Sequence, residues 1–180
     1  MALRHALLGI LAERPRSGWG LLKQFESTLG YAWPALHGQI YPELARLRDA
    51  GLIEQSGSGP RGAKEYTLTE AGSEEVRTWL RETPPSRSGR SDPLLRVFLL
   101  WLLEPDEAEA HLRREADYLR GLLAELETVA AGPRESTRNE LAYGLALDWG
   151  LRETRARLAW AEAAIATVRS PEWRDAPAPA

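Results

Sequence analysis

The chain has 180 residues, enough for one compact domain or for a small domain with an extended accessory part. Its 43% hydrophobic and 27% charged residues are ordinary for a folded soluble protein. The absence of cysteine excludes disulfides and thiolate metal sites, so a reducing, cytoplasmic setting is expected. The opening MALRHALLGILAERPRSG places an arginine ahead of an apolar run. That run is too short and too broken by charge for a signal peptide, and no stretch approaches the roughly 20 apolar residues of a membrane span. Net charge is −3, but residues 1–90 carry 12 Lys and Arg against 10 Asp and Glu, while residues 91–180 carry 11 against 16. The placement of charge therefore matters more than its total.

In chain order, Leu3, Leu7, Ile10 and Leu11 mark one face of a first helix that ends near Arg14-Pro15. Ser17 is the expected N-cap of a second helix with Leu22, Phe25 and Leu29 inward and Gly30 as its stop. HGQIYPELARLRDAG makes a third helix with Ile40, Leu44 and Leu47 inward and Gly51 at its end. Pro42 fits there only in or close to the first turn, where few amides have intrahelical partners. LIEQS and KEYTL read as two short strands joined by SGPRGA. Thr69 then caps a fourth helix carrying Val76, Trp79 and Leu80.

The stretch TPPSRSGRSDP (83–93), rich in Pro, Ser, Gly and Arg, reads as a linker. After it, LLRVFLLWLLE is apolar on nearly all sides and is expected to be buried all round. The next helix opens at Asp106 with Glu109 three residues on, a capping-box pair, and carries Leu112, Ala116, Leu119, Leu122 or Leu123, Leu126 and Val129 to a stop at Gly132-Pro133. A last helix runs from about Glu135 to Val168 and bears two apolar stripes. One is Leu147, Leu151, Leu158, Ala161, Ile165 and Val168, with Thr154 as its gap. The other is Ala142, Leu145, Trp149, Ala156, Trp160 and Ala163. One stripe can cover the preceding helix, and a symmetry mate is the simplest partner for the other, although both could pack within one monomer. The dimer interface is expected to use Leu147, Leu151, Leu158, Trp160 and Ile165.

The expected fold is thus mainly α with a small β-hairpin: a winged helix-turn-helix over 1–82, a linker over 83–93, a long-helix dimerisation and effector domain over 94–170, and a disordered tail over 171–180. On the third helix, the side opposite the core shows Gly38, Pro42, Ala45 and Asp49. Three of these are compact, so the backbone can sink into a major groove. Gln39 and Arg46 flank that ridge on one side, Tyr41 and Arg48 on the other. Gln pairs with adenine, Arg with guanine or phosphate, and a tyrosine hydroxyl suits phosphate. Arg61 and Lys64 put cations at and beside the hairpin tip, where a wing meets a minor groove or a backbone. Any one of these charges alone would read as a solvated surface residue; their joint placement points to double-stranded DNA.

The runs GQIYPELARLRDAGLI, RGAKEYTLTEAG and ALLGILAERPRSGWGLLKQFE closely resemble the PadR family of bacterial transcriptional regulators over about residues 2–82. AYGLALDWGLRETRARLAWAEAAI resembles the family's helical C-terminal domain more loosely. The resemblance implies a dimeric repressor whose two winged domains straddle a palindromic operator. It also implies a phosphate contact by Tyr41, within the segment Tyr41, Pro42 and Leu44, and a wing cation and aromatic at Lys64 and Tyr66. The family's aromatic-acid pair after the first glycine of the second helix is replaced by Trp19 and Gly20, so any phosphate contact there falls to the indole N–H. Ser17 and His37 complete the expected DNA-facing set. The resemblance further implies release from DNA by a small aromatic or hydrophobic effector. Trp101, Trp149 and Trp160 could line its pocket, with a role as core and interface anchors as the competing reading.

An enzyme is disfavoured. His5, His37 and His111 are far apart, and there is no G-x-S-x-G, H-E-x-x-H or phosphate-binding glycine loop, so no catalytic residue, metal or cofactor is expected. His111 and Glu115 stand four apart on a charged helix and read as a solvated pair. A winged helix that binds a protein remains as the alternative, and salt dependence separates it from DNA binding. A MarR-like regulator would place helices on both sides of the reader, whereas here the long helices all follow it.

Overall fold

The computed structural model describes residues 2–29, 37–58, 64–86, 91–133 and 136–177. The chain divides into two compact units, Met1–Pro85 and Ser86–Ala180. The first unit runs α1 (Ala2–Leu11), β1 (Arg16–Ser17), α2 (Gly18–Leu29), α3 (His37–Asp49), β2 (Ile53–Ser58), β3 (Lys64–Leu68) and α4 (Glu70–Glu82). Each helix buries the face its periodicity marks. Leu7, Leu8, Ile10 and Leu11 of α1, Leu21, Leu22 and Phe25 of α2, Ile40, Leu44 and Leu47 of α3, and Ile53 of β2 form one core. Val76 packs at its edge. Trp79 of α4 stacks on the buried His5 ring at 4.4 Å between centroids. Leu80, expected beside them, faces solvent.

The sheet has three strands where the sequence signalled two, in the order β1-β3-β2 and antiparallel throughout. The added strand pairs Arg16 with Tyr66 and Ser17 with Glu65, which brings the start of α2 to the base of the wing. The wing is tied to α3 at its other end. Gly51 adopts φ 70°, the left-handed conformation that glycine takes without strain. The Gly51 and Leu52 amides donate to the Arg48 and Leu47 carbonyls at 2.9 Å each, a Schellman stop. The Thr69 hydroxyl accepts from the Gly72 amide at 3.1 Å and donates to the Gly51 carbonyl at 2.8 Å. A β-carbon on Gly72 would lie 2.1 Å from the Leu52 carbonyl oxygen, so only glycine fits where α4 begins.

Pro42 lies in the second turn of α3, further in than expected. The carbonyl it deprives of a donor belongs to Gly38, which is exposed, so water can satisfy it.

The second unit runs α5 (Asp92–Phe98), a 3₁₀ turn (Leu100–Leu102), α6 (Pro105–Ala131), α7 (Arg138–Arg169) and α8 (Pro171–Arg174). Helix α6 begins two residues earlier than expected. Glu104 caps it, with its own amide donating to the Glu107 carboxylate at 3.1 Å. Asp106 and Glu109 instead hold Arg174 and Arg169. The span expected as a linker already contains the start of α5, because the Ser91 hydroxyl accepts from the Leu94 amide. The span expected as a disordered tail contains α8. The Ser170 hydroxyl caps it, and Trp173 packs against Leu100, Ala108, Leu112 and Val168.

Two further expectations change. The segment from Leu94 to Leu103 is not buried all round. Among the described residues, Leu100 is its one buried side chain and Val97 is half-buried, while Leu94, Leu95, Phe98, Trp101 and Leu102 are exposed. The 3₁₀ turn interrupts the helix, and Leu100 and Val97 are the side chains that pack with α6 and α7. The stripe of α7 that packs on α6 is the one holding Leu147, Leu158, Ala161, Ile165 and Val168, with Thr154 buried among them. Leu147, Leu151, Leu158 and Ile165, expected at a dimer interface, are therefore buried or half-buried within one chain, because α6 and α7 are consecutive helices closely paired along their length. Leu145 (75% exposed), Trp149 (73%) and Trp160 (44%) lie on the uncovered stripe.

Candidate nucleic-acid interface

The exposed side of α3 is the one that helical geometry demands once Ile40, Leu44 and Leu47 turn inward. Gly38, Gln39, Tyr41, Pro42, Ala45, Arg46, Arg48 and Asp49 are all exposed. The ridge is compact along Gly38, Pro42 and Ala45 and polar on both flanks. Its two arginines are not free. The Arg46 guanidinium donates to the Glu43 carboxylate at 2.9 Å, one helical turn back, and Arg48 donates to Asp49 at 2.8 Å. Asp49 therefore pairs with one of the exposed arginines of α3. The hydrogen bond from Arg48 to Asp49, and then the Asp49 charge, raise the Arg48 pKa further, so this guanidinium is charged at every pH at which a protein folds.

The start of α2 lies beside α3. The Ser17 hydroxyl accepts from the Gly20 amide at 3.1 Å, which fixes the first turn. Trp19, 63% exposed, projects from that turn with the Lys23 ammonium 5.8 Å from its ring centroid. The Tyr41 ring rests against Gly18 and is itself 55% exposed. Sequence reasoning missed Lys23 and Glu43. The four-residue Trp19–Lys23 spacing and the three-residue Glu43–Arg46 spacing were the available signals.

On the wing, Lys64 is exposed at the start of β3. Tyr66, grouped with it in the expected DNA-facing set, packs against the core. Tyr66 lies mid-sheet, paired with Gln55 on one side and Arg16 on the other, whereas Lys64 stands at the strand's first position, paired with Ser58 alone. Arg61 lies outside the described residues, as does the side chain of His37. The structure thus brings Trp19, Gln39, Tyr41, Arg46 and Arg48 onto α2 and α3 of one unit, with Ser17 in β1 just ahead of α2 and Lys64 on its wing. In the second unit, Trp149 and Trp160 share one face of α7 and Trp101 lies on the 3₁₀ turn, each substantially exposed. Glu115, the residue four after His111, is held by Arg157 at 3.0 Å.

A three-helix core, a short β-strand ahead of the second helix, and a β-hairpin after an exposed third helix define a winged helix-turn-helix protein. The model of the PadR-like family of transcriptional regulators matches residues 7–78, and that of the virulence activator alpha C-terminal domain matches residues 90–169. The chain belongs to the PadR-like family of transcriptional regulators. It is 28% identical over 176 residues to the negative transcriptional regulator PadR of Bacillus subtilis (strain 168), spanning 92% of this chain and 97% of that protein. The structure of Bacillus subtilis PadR in complex with operator DNA aligns with a TM-score of 0.81 at 27% identity, covering 93% of this chain and 99% of the other. The structure of the same protein with p-coumaric acid aligns with a TM-score of 0.79 at 28% identity, covering 94% and 100%. Among the described residues, no helix is long and apolar enough to cross a membrane.

Proposed function

We propose that this regulator is a homodimeric, ligand-responsive repressor that binds a palindromic operator in the cytoplasm and catalyses no reaction. The observation that carries the reading is the outward ridge of α3, with compact residues at its crest and Gln39, Tyr41, Arg46 and Arg48 along its flanks. The operator-bound structure of its Bacillus subtilis relative supports DNA as the partner. Residues 1–85 hold the DNA, through Ser17, Trp19, Gly38, Gln39, Tyr41, Pro42, Arg46, Arg48 and Lys64, and residues 86–180 make the dimer. The uncovered α7 stripe at Leu145, Trp149 and Trp160 and the exposed apolar side chains of α5 form the dimer surface, since patches of this kind on a soluble chain mark a partner. Two copies then set their α3 helices into successive major grooves about 34 Å apart along the duplex. The p-coumaric acid complex of the same relative supports a flat aromatic effector, with Trp101, Trp149 and Trp160 supplying stacking faces. An effector that binds one arrangement of the dimer better than another shifts the spacing of the readers and lowers operator affinity.

Selection of bound fragments from genomic DNA by the purified protein tests the reading. The expected result is a two-fold-symmetric motif with half-sites one helical turn apart, and an affinity that falls as salt rises. Recovery of no motif, or salt-insensitive binding, would favour a winged helix that binds a protein instead.

A further inference from the structure

We infer that Gly18 is a positioning residue for DNA binding: by having no side chain it leaves room for one edge of the Tyr41 ring against the first turn of α2, and so fixes where the tyrosine hydroxyl points. The inference rests on the reading of Tyr41 as a contact to the DNA backbone. A β-carbon built on Gly18 would lie 2.6 Å from Cε1 of Tyr41, 3.3 Å from Cζ and 3.4 Å from Cδ1. The first distance is well inside van der Waals contact, and all three atoms lie on one edge of the ring. Cζ is the carbon that bears the hydroxyl, so a methyl group at this position displaces the polar end of the side chain.

The neighbouring glycines show that this is a local requirement. A β-carbon on Gly20 would meet only the Ser17 hydroxyl at 3.4 Å and the Arg16 β-carbon at 3.7 Å, both ordinary contacts. One on Gly38 would meet nothing within 4 Å. Positive φ does not explain Gly18 either, since among the described glycines that conformation belongs to Gly51. The requirement is for space, and the side chain that needs it is one the fold itself does not need. Tyr41 is 55% exposed and stands outside the buried core. An alanine at Gly18 can be accommodated by swinging Tyr41 into solvent, which leaves α2 and α3 in place and removes the hydroxyl from its set direction. Fold and DNA affinity then separate.

The test uses full-length protein and a duplex recovered by the selection described above, with fluorescence anisotropy for affinity and circular dichroism for stability. Gly18→Ala is expected to weaken binding about tenfold, the scale of one charge-assisted hydrogen bond, with the melting temperature nearly unchanged. Gly20→Ala, the control, should bind within about twofold of the unaltered protein. Tyr41→Phe keeps the ring and removes the hydroxyl, and should lose as much affinity as Gly18→Ala. Adding Gly18→Ala to Tyr41→Phe should then cost nothing further, because the group being positioned is already gone. In the unaltered protein a nuclear Overhauser effect between the Gly18 α-protons and the Tyr41 ε-protons reads the contact without any substitution. Absence of that effect overturns the inference, as does a Gly18→Ala loss that persists in the Tyr41→Phe background. If Tyr41→Phe binds as tightly as the unaltered protein, the reading of Tyr41 as a backbone contact fails together with it. If Tyr41→Phe weakens binding and Gly18→Ala does not, the positioning role alone fails.

Discussion

The two units satisfy their apolar residues in opposite ways. In residues 1–85 the inward faces of α1, α2 and α3 close on one another and on the sheet, leaving Trp19, Tyr41 and Leu80 as the large apolar side chains in the open among the described residues. In residues 86–180 the α6–α7 pair closes along one seam only. Exposed apolar side chains remain on α5, on the 3₁₀ turn and along the second stripe of α7. The first unit is complete as a single copy and can commit its polar surface to a ligand. The second has more apolar surface than its own elements can cover, which is the condition for association.

The strongest test of that contrast is Phe25→Ala. Phe25 is 1% exposed at the centre of the first core, and its loss should cost about 3–5 kcal/mol in that unit. Thermal unfolding should show the first unit melting early while self-association, followed by sedimentation, persists. A concerted early collapse of both units would break the comparison. The next test sets two leucines of α7 against each other. Leu147→Ala should lower stability by about 2–5 kcal/mol, since Leu147 is 6% exposed within its own chain. Leu145→Asp should leave helicity intact and shift sedimentation toward monomer, and retention of the dimer would remove this stripe from the interface. Arg46→Ala should weaken binding to the selected duplex by about 1–3 kcal/mol if its guanidinium reads a base; an unchanged affinity would take it out of the reader. The smallest effect concerns Glu74, whose carboxyl is held below the usual range first by its hydrogen bond from Arg81 and then by the Arg81 charge. A depressed carboxyl contributes stability above its unfolded pKa, and loses it as pH falls through the folded value. Glu74→Gln should therefore lower the neutral plateau slightly, leave the acid end nearly unchanged and so flatten the limb between them.

Much of the first unit's fold was legible in sequence. Ile40, Leu44 and Leu47 fix the α3 face by helical period, and Thr69 and Gly51 announce their turns by chemistry. Less legible was anything decided by a distant partner. Strand β1 is two residues long and exists only because Tyr66 and Glu65 pair with it. Both stripes of α7 carry the same apolar pattern, so period alone could not say which would meet α6. The same ambiguity put Leu147, Leu151, Leu158 and Ile165 in the expected dimer interface, whereas they are buried or half-buried within one chain. In Leu94 to Leu103, composition demanded cover without naming its source. Tyr66 was grouped with Lys64 on the DNA side, although its place in mid-sheet, flanked by β1 and β2, packs it against the core.

On the proposed reading of Arg46 and Arg48 as DNA contacts, the carboxylates beside them have a kinetic consequence. Glu43 and Asp49 act as built-in counter-ions, so a random stretch of polyanion gains little by replacing one negative partner with another. Only a sequence that also offers shape and base edges repays the exchange. Such a surface lingers briefly on the wrong site, and a protein that lets go quickly can sample more of a chromosome in the time it has.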